Sequence, residues 1–318
     1  MTTAAIQTIG LSKTYTLGFL MNRRVKALQS LDLTVQPGQI YGVLGPNGAG
    51  KSTTLKLLLA LVKPTSGRAL IFGHPAGSKA GRAEVGFLPE NPAPHDYLTG
   101  REFVRMCGQL RGLSGVELDR EVDQALARVE MTRTAGLAIR RYSKGMVQRV
   151  SLAQSLLGKP RLLILDEPSS GLDPVGRRQF RDLVLEEKAR GATVMLCTHI
   201  IPDVEAICDR VAVLVGGRLV KEGPLSELLV SEAAEVELTL EGVDAEAVRA
   251  ACPAQAHLTT AAGRVLVRTS AESGTALVGA MLQRGGRLVS YTPVKHSLEQ
   301  LFLSTLESER GAVGGDLT

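Results

Sequence analysis

The clearest structural signal in this 318-residue chain is the stretch Gly45-Pro46-Asn47-Gly48-Ala49-Gly50-Lys51-Ser52, which Thr53 follows. It fits the pattern G-x-x-x-x-G-K-[ST], in which glycines let the backbone turn tightly and point several N–H groups at one anion. An apolar strand is predicted at 40–44 and a helix from Ser52 to about Val62, so the anion would lie at a helix N-terminus. The pattern predicts a phosphate-binding loop. Lys51 would reach the β- and γ-phosphates of a nucleotide, Ser52 would ligate Mg²⁺, and Thr53 would donate to phosphate.

A second strong feature is an apolar strand that ends in two carboxylates. Residues 162–165 read Leu-Leu-Ile-Leu and are followed by Asp166 and Glu167. Because buried charges are costly without a partner, adjacent acids at the end of a buried strand point to a function. Asp166 is placed to hold Mg²⁺ through water, and Glu167 to act as the general base for the water that attacks the γ-phosphate. The alternative is a pair of exposed acids at a strand end.

Strands and helices alternate over the first 230 residues. The apolar runs at 40–44, 162–165 and 193–197 are typical of strands buried on both faces, and 177–190 carries apolar residues at helical spacing. This alternation predicts an α/β domain over residues 1–230. The stretch at about 98–138 has a mostly helical pattern, so a helical subdomain is predicted at about 91–145.

A second, smaller domain is predicted at 231–310. Two alternating segments, 235–240 and 264–268, are separated by a helical pattern at 245–252. A further helix, a strand and a C-terminal helix follow at 273–284, 287–292 and 297–309. This order favours a small α+β domain of the ferredoxin-like kind. Residues 311–318 are predicted to be a disordered tail.

Composition and charge argue against several classes of protein. Hydrophobic residues make up 44% of the chain and charged residues 22%, which is ordinary globular composition. The net charge of +5 includes no dense run of Lys and Arg, and the 3% of aromatic residues weakens any base-stacking role, so no nucleic-acid partner is expected. The apolar runs fall well short of the roughly 20 residues of a spanning helix, and the N-terminus lacks a secretory pattern. The chain is expected to reach a membrane only through a partner.

A family resemblance comes from the motifs around the acidic strand. Residues 142–149, Tyr-Ser-Lys-Gly-Met-Val-Gln-Arg, resemble the signature motif of ABC ATPases. Residues 170–173, Ser-Gly-Leu-Asp, look like the D-loop of that family, and His199 looks like its switch histidine. With the phosphate-binding loop these motifs cover about Ile6 to Leu229, and jointly they are highly specific. The resemblance implies a P-loop NTPase cassette with a RecA-like core and a helical subdomain.

The resemblance also implies a head-to-tail homodimer with two ATP molecules at its interface. The signature residues Ser143, Lys144, Gly145 and Met146 would face the γ-phosphate held by the partner's phosphate-binding loop. Asp173 would organise the opposite site, the alternative being a plain turn residue. His199 would contact the γ-phosphate. The alternative is a histidine at a strand end whose ring forms its hydrogen bonds with the backbone.

Two departures from the family pattern concern the site. Glu90 stands where the family generally has a glutamine, and as a carboxylate it can still ligate Mg²⁺. Lys144 and Met146 replace a glycine and a glutamine of the signature. The Glu90 variant and the altered signature occur together in ATPases of ABC-2-type exporters. This chain resembles that subfamily in residues 86–90, Gly-Phe-Leu-Pro-Glu, and 142–146, Tyr-Ser-Lys-Gly-Met.

Tyr15 matches the aromatic residue that stacks on adenine in this family. The alternative is a core aromatic of the first strand. The segment 16–24 looks longer than usual, so Phe19 competes for the assignment.

The function that follows is the ATP-hydrolysing subunit of an ABC transporter, with ATP and Mg²⁺ as cofactors. It would bind an integral membrane permease subunit at the cytoplasmic face of the inner membrane. A groove at 90–103 would receive that subunit, with Leu98, Thr99 and Arg101 as contacts. One alternative is an ATPase that operates an envelope machine without moving a solute. A ribosome- or DNA-associated ABC protein is a further class, which the single uninterrupted cassette disfavours.

Overall fold

The computed structural model describes residues 3–17, 23–229, 235–253, 256–261, 263–293 and Leu298. The predicted domain boundary at 230, the predicted tail at 311–318 and, apart from Leu298, the predicted C-terminal helix at 297–309 lie outside these residues. The chain divides into two compact units between Leu225 and Ser226. In the part of the chain that is described, no helix is long and apolar enough to cross a membrane.

Within its described residues the first unit contains ten strands, seven α-helices and a 3₁₀ helix at Ile139–Arg141, and an eighth α-helix begins at its last residue. Its strands are β1 (Ile6–Leu17), β2 (Arg23–Val35), β3 (Ile40–Leu44), β4 (Ser66–Ile71), β5 (His74–Pro75), β6 (Val85–Leu88), β7 (Leu162–Asp166), β8 (Thr193–Thr198), β9 (Arg210–Val215) and β10 (Arg218–Pro224). Its helices are α1 (Lys51–Leu58), α2 (Lys79–Ala83), α3 (Gly100–Leu110), α4 (Gly115–Arg128), α5 (Lys144–Leu156), α6 (Pro174–Ala189), α7 (Ile201–Ile207) and α8 (Leu225–Leu228), the last of which spans the division.

The centre of this unit is a six-stranded sheet of order β10-β9-β3-β8-β7-β6. Strands β9, β3, β8, β7 and β6 pair in parallel with their neighbours in this order. Strand β10 pairs antiparallel with β9 at the edge of the sheet. Every residue of β3, β7 and β8 is buried, as expected for apolar strands in a sheet covered on both faces. The predicted α/β fold is confirmed.

The strand order places the predicted site residues at one edge of the sheet. Because parallel strands end at the same edge, the carboxyl ends of β3, β8, β7 and β6 lie side by side. The phosphate-binding loop follows β3, and His199 follows β8. The two acids end β7, and Glu90 follows β6.

A four-stranded antiparallel sheet of order β2-β1-β4-β5 packs against the central sheet. Ile6, Leu31 and Val35 from this sheet share one buried core with Tyr41 of β3 and Leu55 of α1. The sequence pattern did not predict this sheet. Its effect on the site is that β2 lies directly against the phosphate-binding loop.

Helices α3, α4 and α5 pack against one another in the first unit. Thr99 and Glu102 close a capping box at the start of α3, since the Glu102 carboxylate accepts from the Thr99 backbone N–H at 2.8 Å. Arg101 of α3 pairs with Asp123 of α4 at 2.5 Å. The role of Thr99 and Arg101 as contacts for a membrane subunit stays a prediction.

Helix α1 is shorter than its sequence pattern suggested. It ends at Leu58 rather than at about Val62, because Ala60 adopts a left-handed conformation with φ 53°. A left-handed residue cannot continue a right-handed helix, so the prediction of the helix end was wrong.

The second unit has the element order βαββαβ. Its elements are β11 (Glu235–Glu241), α9 (Ala245–Ala251), β12 (His257–Ala261), β13 (Arg264–Ser270), α10 (Ala271–Gln283) and β14 (Arg287–Pro293). The antiparallel sheet order β12-β13-β11-β14 is that of a ferredoxin-like fold, as predicted. The unit has its own core, formed by Val236, Leu238, Leu240, Val248, Val265, Val267, Leu277 and Met281.

Candidate nucleotide site

The phosphate-binding loop wraps the N-terminus of α1 in a conformation that requires glycine at two positions. Gly50 caps the helix with φ 106°, and a Cβ atom there would lie 2.8 Å from the Ala27 carbonyl oxygen of β2. A Cβ atom on Gly45 would lie 2.5 Å from the Leu214 carbonyl oxygen. Only glycine lets β2 and β9 approach the loop this closely.

The loop lines an open cavity of ≈ 470 Å³. Lys51 is almost fully buried, and its ammonium group donates to the Gly45 carbonyl at 2.6 Å and to the Pro46 carbonyl at 3.3 Å. The positive charge is therefore held inside the loop, next to the helix N-terminus. The cavity is lined by Val25, Lys26, Ala27, Pro46, Asn47, Gly48, Ala49, Gly50, Lys51, Ser52, Thr53, Glu90 and Glu167.

The carboxyl group of Asp166 is buried next to the loop. Burial raises its pKa to about 6, with further contributions from the charges of Glu90 and Glu167, while a hydrogen bond with Ser52 and the charge of Lys51 lower it. Within the described residues its Oδ1 atom has no hydrogen-bond partner. An unpartnered buried carboxylate oxygen is costly, and a cation could satisfy this one. Asp166 itself is not among the residues that line the cavity.

Glu167 lies directly after β7 in a left-handed backbone conformation, with φ 46°. Its side chain is buried, and its Oε1 atom lies 2.9 Å from Nδ1 of His199. Its Oε2 atom accepts a hydrogen bond from the hydroxyl of Thr198 at 3.0 Å. The structure thus brings the predicted base and the predicted switch histidine together within one chain.

The signature residues lie outside this cavity. Ser143 caps α5, its hydroxyl accepting from the Met146 N–H at 3.2 Å, and the aliphatic part of Lys144 lies over Gly171. Asp173 caps α6, accepting from the Gly176 N–H at 2.7 Å. Gly145 lies near the same loop, since a Cβ atom there would be 3.5 Å from the Gly171 carbonyl oxygen.

Tyr15 is not among the residues that line the cavity. It lies in β1 opposite Val25 of β2, and Val25 does line the cavity. The ammonium group of Lys13 lies 5.0 Å from the centre of the Tyr15 ring. The stacking of Tyr15 on adenine stays a prediction.

Sequence reasoning missed four residues of the site. Val25, Lys26 and Ala27 reach the cavity only because β2 lies against the loop, and no motif marks that approach. Thr198 could have been noticed because it directly precedes His199 on a buried strand.

The fold and the site together define a P-loop nucleotide hydrolase, with a phosphate-binding loop, two acids and a histidine at one edge of a parallel sheet. Residues 28–170 match the family described as ABC transporter. An uncharacterized ABC transporter ATP-binding protein of Synechocystis sp. is 38% identical over 324 residues, covering 96% of this chain and 85% of that protein. Nod factor export ATP-binding protein I of Cupriavidus metallidurans is 34% identical over 278 residues, covering 87% of this chain and 91% of that protein.

Solved structures agree with these sequence relatives. A dimeric ATP-binding cassette in a post-hydrolysis state, bound to ADP and Pi, superimposes with a TM-score of 0.64 at 26% identity. The superposition covers 69% of this chain and 98% of the cassette. The chain belongs to the ABC transporter ATP-binding protein family. In such a transporter it is the subunit that binds and hydrolyses ATP. The predicted family, fold class and ATPase activity are confirmed.

Proposed function

We propose that this chain is the ATPase of an ABC-2-type exporter and powers a separate integral membrane permease subunit at the cytoplasmic face of the inner membrane. A relative that covers most of the chain is named for Nod factor export. The sequence Tyr142-Ser143-Lys144-Gly145-Met146 supports the same subfamily. The permease, and not this chain, would carry the transported substrate.

The observation that carries the mechanism is the position of the signature loop. Ser143 and Gly145 lie at the start of α5, outside the cavity that Lys51 and Ser52 line in the same chain. A second copy, arranged head to tail, would supply them to the γ-phosphate. The helix N-terminus and the backbone N–H of Gly145 favour an anion there. ATP would then close the dimer, and loss of the γ-phosphate would release it.

Mg²⁺ would be held by Ser52, Asp166 and Glu90 together with the phosphates of ATP. The unpartnered Oδ1 atom of Asp166, its hydrogen bond with Ser52 and the neighbouring Glu90 charge fit a hard cation that prefers oxygen ligands. When bound, this ion would neutralise charge on the β- and γ-phosphates.

Other residues of this chain would bind the phosphates and activate the water molecule. Lys51 would leave its carbonyl partners to bind the β- and γ-phosphates, and backbone N–H groups of 47–53 would cradle them. Glu167 would orient a water molecule and accept its proton as the water oxygen attacks the γ-phosphorus and the bond to the ADP oxygen breaks. His199, 2.9 Å from Glu167, would donate to the γ-phosphate.

The test of the site is Glu167→Gln, which keeps the shape of the side chain and removes the base. We expect the rate of ATP hydrolysis to fall by about 10²-fold or more. ATP-bound dimers should accumulate, and light scattering would detect them by their mass. Glu117→Gln, an exposed change on α4, is the matched control. Hydrolysis at the parental rate in the Glu167 variant would overturn the base assignment.

The test of the exporter role is purification of the tagged full chain from detergent-solubilised membranes. We expect an integral membrane protein to copurify with it, and solute transport by the reconstituted pair to require ATP. Recovery of the chain without any membrane protein, under conditions that preserve other such complexes, would contradict this role.

A further inference from the structure

The carboxylate of Glu167 is held almost entirely by one short segment, the end of β8. The backbone N–H of Glu167 donates to the Cys197 carbonyl at 2.8 Å. The Oε2 atom accepts from the Thr198 hydroxyl at 3.0 Å and from the His199 backbone N–H at 3.4 Å, and Oε1 lies against the His199 ring. The carboxylate of Glu167 thus contacts Thr198, the last residue of β8, and His199, which follows it.

The Thr198 hydroxyl both accepts and donates a hydrogen bond. The backbone N–H of Ile200 donates to Oγ1 of Thr198 at 3.0 Å. The hydroxyl donates its own proton to Oε2 of Glu167 at 3.0 Å. A hydroxyl that donates to a carboxylate restrains the rotation of that carboxylate.

The two side chains that contact Glu167 differ in their freedom to move. Thr198 is fully buried, whereas the His199 side chain is 60% exposed. An exposed ring has room to rotate toward a phosphate, whereas rotation of the buried Thr198 side chain would disturb its packed neighbours. Thr198 is thus the permanent partner of Glu167, and Oε1 is the oxygen left for a water molecule.

We propose that Thr198 is a positioning residue for ATP hydrolysis, whose buried hydroxyl holds the Glu167 carboxylate with Oε1 facing the nucleotide cavity. This inference rests on the proposed role of Glu167 as the base. It adds a residue that does not itself touch ATP and acts only through that carboxylate.

A second contact keeps the two loops together independently of Thr198. The hydroxyl of Ser169 donates to Oδ2 of Asp203 at 2.5 Å, and both residues are buried. This bond joins the segment after β7 to α7, which follows β8. Removing the Thr198 hydroxyl should therefore change the orientation of the carboxylate without separating the loops.

The test compares Thr198→Val with Thr198→Ser and Thr193→Val in the full-length chain. Thr193 is a matched control because it lies on the same strand, is fully buried, and its hydroxyl accepts from the Gly38 N–H at 3.0 Å at the end away from the site. We expect Thr198→Val to lower kcat about tenfold with the KM for ATP unchanged. Thr198→Ser should return kcat to within about threefold of the parent, and Thr193→Val should have the parental kcat.

Two results would overturn the proposal. One is a parental kcat in Thr198→Val. The other is an equal loss of kcat in both valine variants, which would indicate general packing. Thermal unfolding checks that each variant is folded, and Thr198→Ala replaces the valine variant if that one does not fold.

A double variant tests whether Thr198 acts through Glu167. In single-turnover hydrolysis, Thr198→Val added to Glu167→Gln should leave the residual rate unchanged, and a further tenfold loss would overturn the proposal. Glu167→Gln at the parental rate would overturn the base assignment itself. An inactive Glu167→Gln with a fully active Thr198→Val would overturn only the role of Thr198.

Discussion

At the scale of single residues, the site is built from groups that are unfavourable in the free protein. Asp166 is buried with its pKa raised to about 6, and its Oδ1 atom has no hydrogen-bond partner among the residues that the structure describes. Glu167 adopts φ 46°, a conformation that costs roughly 1–3 kcal/mol for a residue with a side chain. These local costs are typical of sites whose geometry serves a ligand rather than the stability of the apo protein.

Asp166→Asn should therefore stabilise the nucleotide-free protein at neutral pH. The folded-state pKa of Asp166 lies above its ordinary value of 3.8, so the folded protein holds the proton more tightly than the unfolded chain. The parent loses stability as pH rises from about 4 through about 6, and asparagine avoids this loss. We expect the variant to be more stable by about 1–2 kcal/mol at pH 7.5, where solvent screening reduces the full effect.

Thermal unfolding in EDTA measures this difference at several pH values. The advantage of the variant should shrink below pH 6 and vanish near pH 4. Asp182→Asn, an exposed change on α6, is the control and should show no such pH dependence. A variant less stable than the parent at pH 7.5 would contradict the account of Asp166.

The residues that sequence reasoning found are those whose chemistry is local. Residues 45–53 and the pair Asp166-Glu167 each follow an apolar strand, so strand and ligand-binding group are adjacent in the chain. The position of Thr198 next to His199 is a local signal, but its contact with Glu167 and the approach of Val25 to the cavity could not be found in this way. Their roles depend on which strands become neighbours, 31 residues apart for Thr198 and Glu167, and no local pattern specifies that choice.

At the scale of elements, the first turn of α5 and the segment before α6 form one packed structure. Lys144 lies over Gly171, which adopts φ 78°. A Cβ atom on Gly171 would lie 3.0 Å from Cδ and Cε of Lys144, closer than side chains normally approach. The glycine therefore lets the signature loop lie against the D-loop of the same chain.

Gly171→Ala should displace Lys144 and disturb both loops. We expect ATP hydrolysis to fall several-fold while the affinity of the chain for ATP is unchanged, because neither loop lines the cavity. Gly191→Ala is the matched control. It imposes the same kind of left-handed strain, of about 1–2 kcal/mol, at a position with φ 93°. Among the described residues, apart from its chain neighbours, no atom lies within 4 Å of a Cβ built on Gly191. Equal activity in the two variants would show that the contact with Lys144 has no role.

The differences between predicted and observed elements also have physical causes. Helix α1 ends early because Ala60 is left-handed, a conformation that its residue type does not signal. Strand β12 was not predicted because it is a largely exposed edge strand without an alternating apolar pattern. Edge strands need little hydrophobic patterning, since only one side pairs and one face packs.

At the scale of the whole molecule, each of the two units has a hydrophobic core within its described residues. The core of the first unit includes Tyr41, Leu55 and Ile164, and that of the second centres on Leu238 and Val267. Each core is formed by strands and helices of its own unit. The nucleotide site lies wholly within the first unit, so its formation should not require the second unit to be folded.

Leu238→Asp tests this separation. Leu238 is fully buried in the middle of β11, where an unpaired carboxylate should unfold the second unit. With Mg-ATP present, hydrogen exchange should become fast across residues 235–293 and stay slow across 40–58, and the dissociation constant for ATP should remain within about twofold of the parent. Glu237→Gln, an exposed change on the same strand, is the control and should leave exchange in both regions unchanged. Loss of ATP binding in Leu238→Asp would contradict the independence of the nucleotide site, because it would show that the first unit cannot form that site alone.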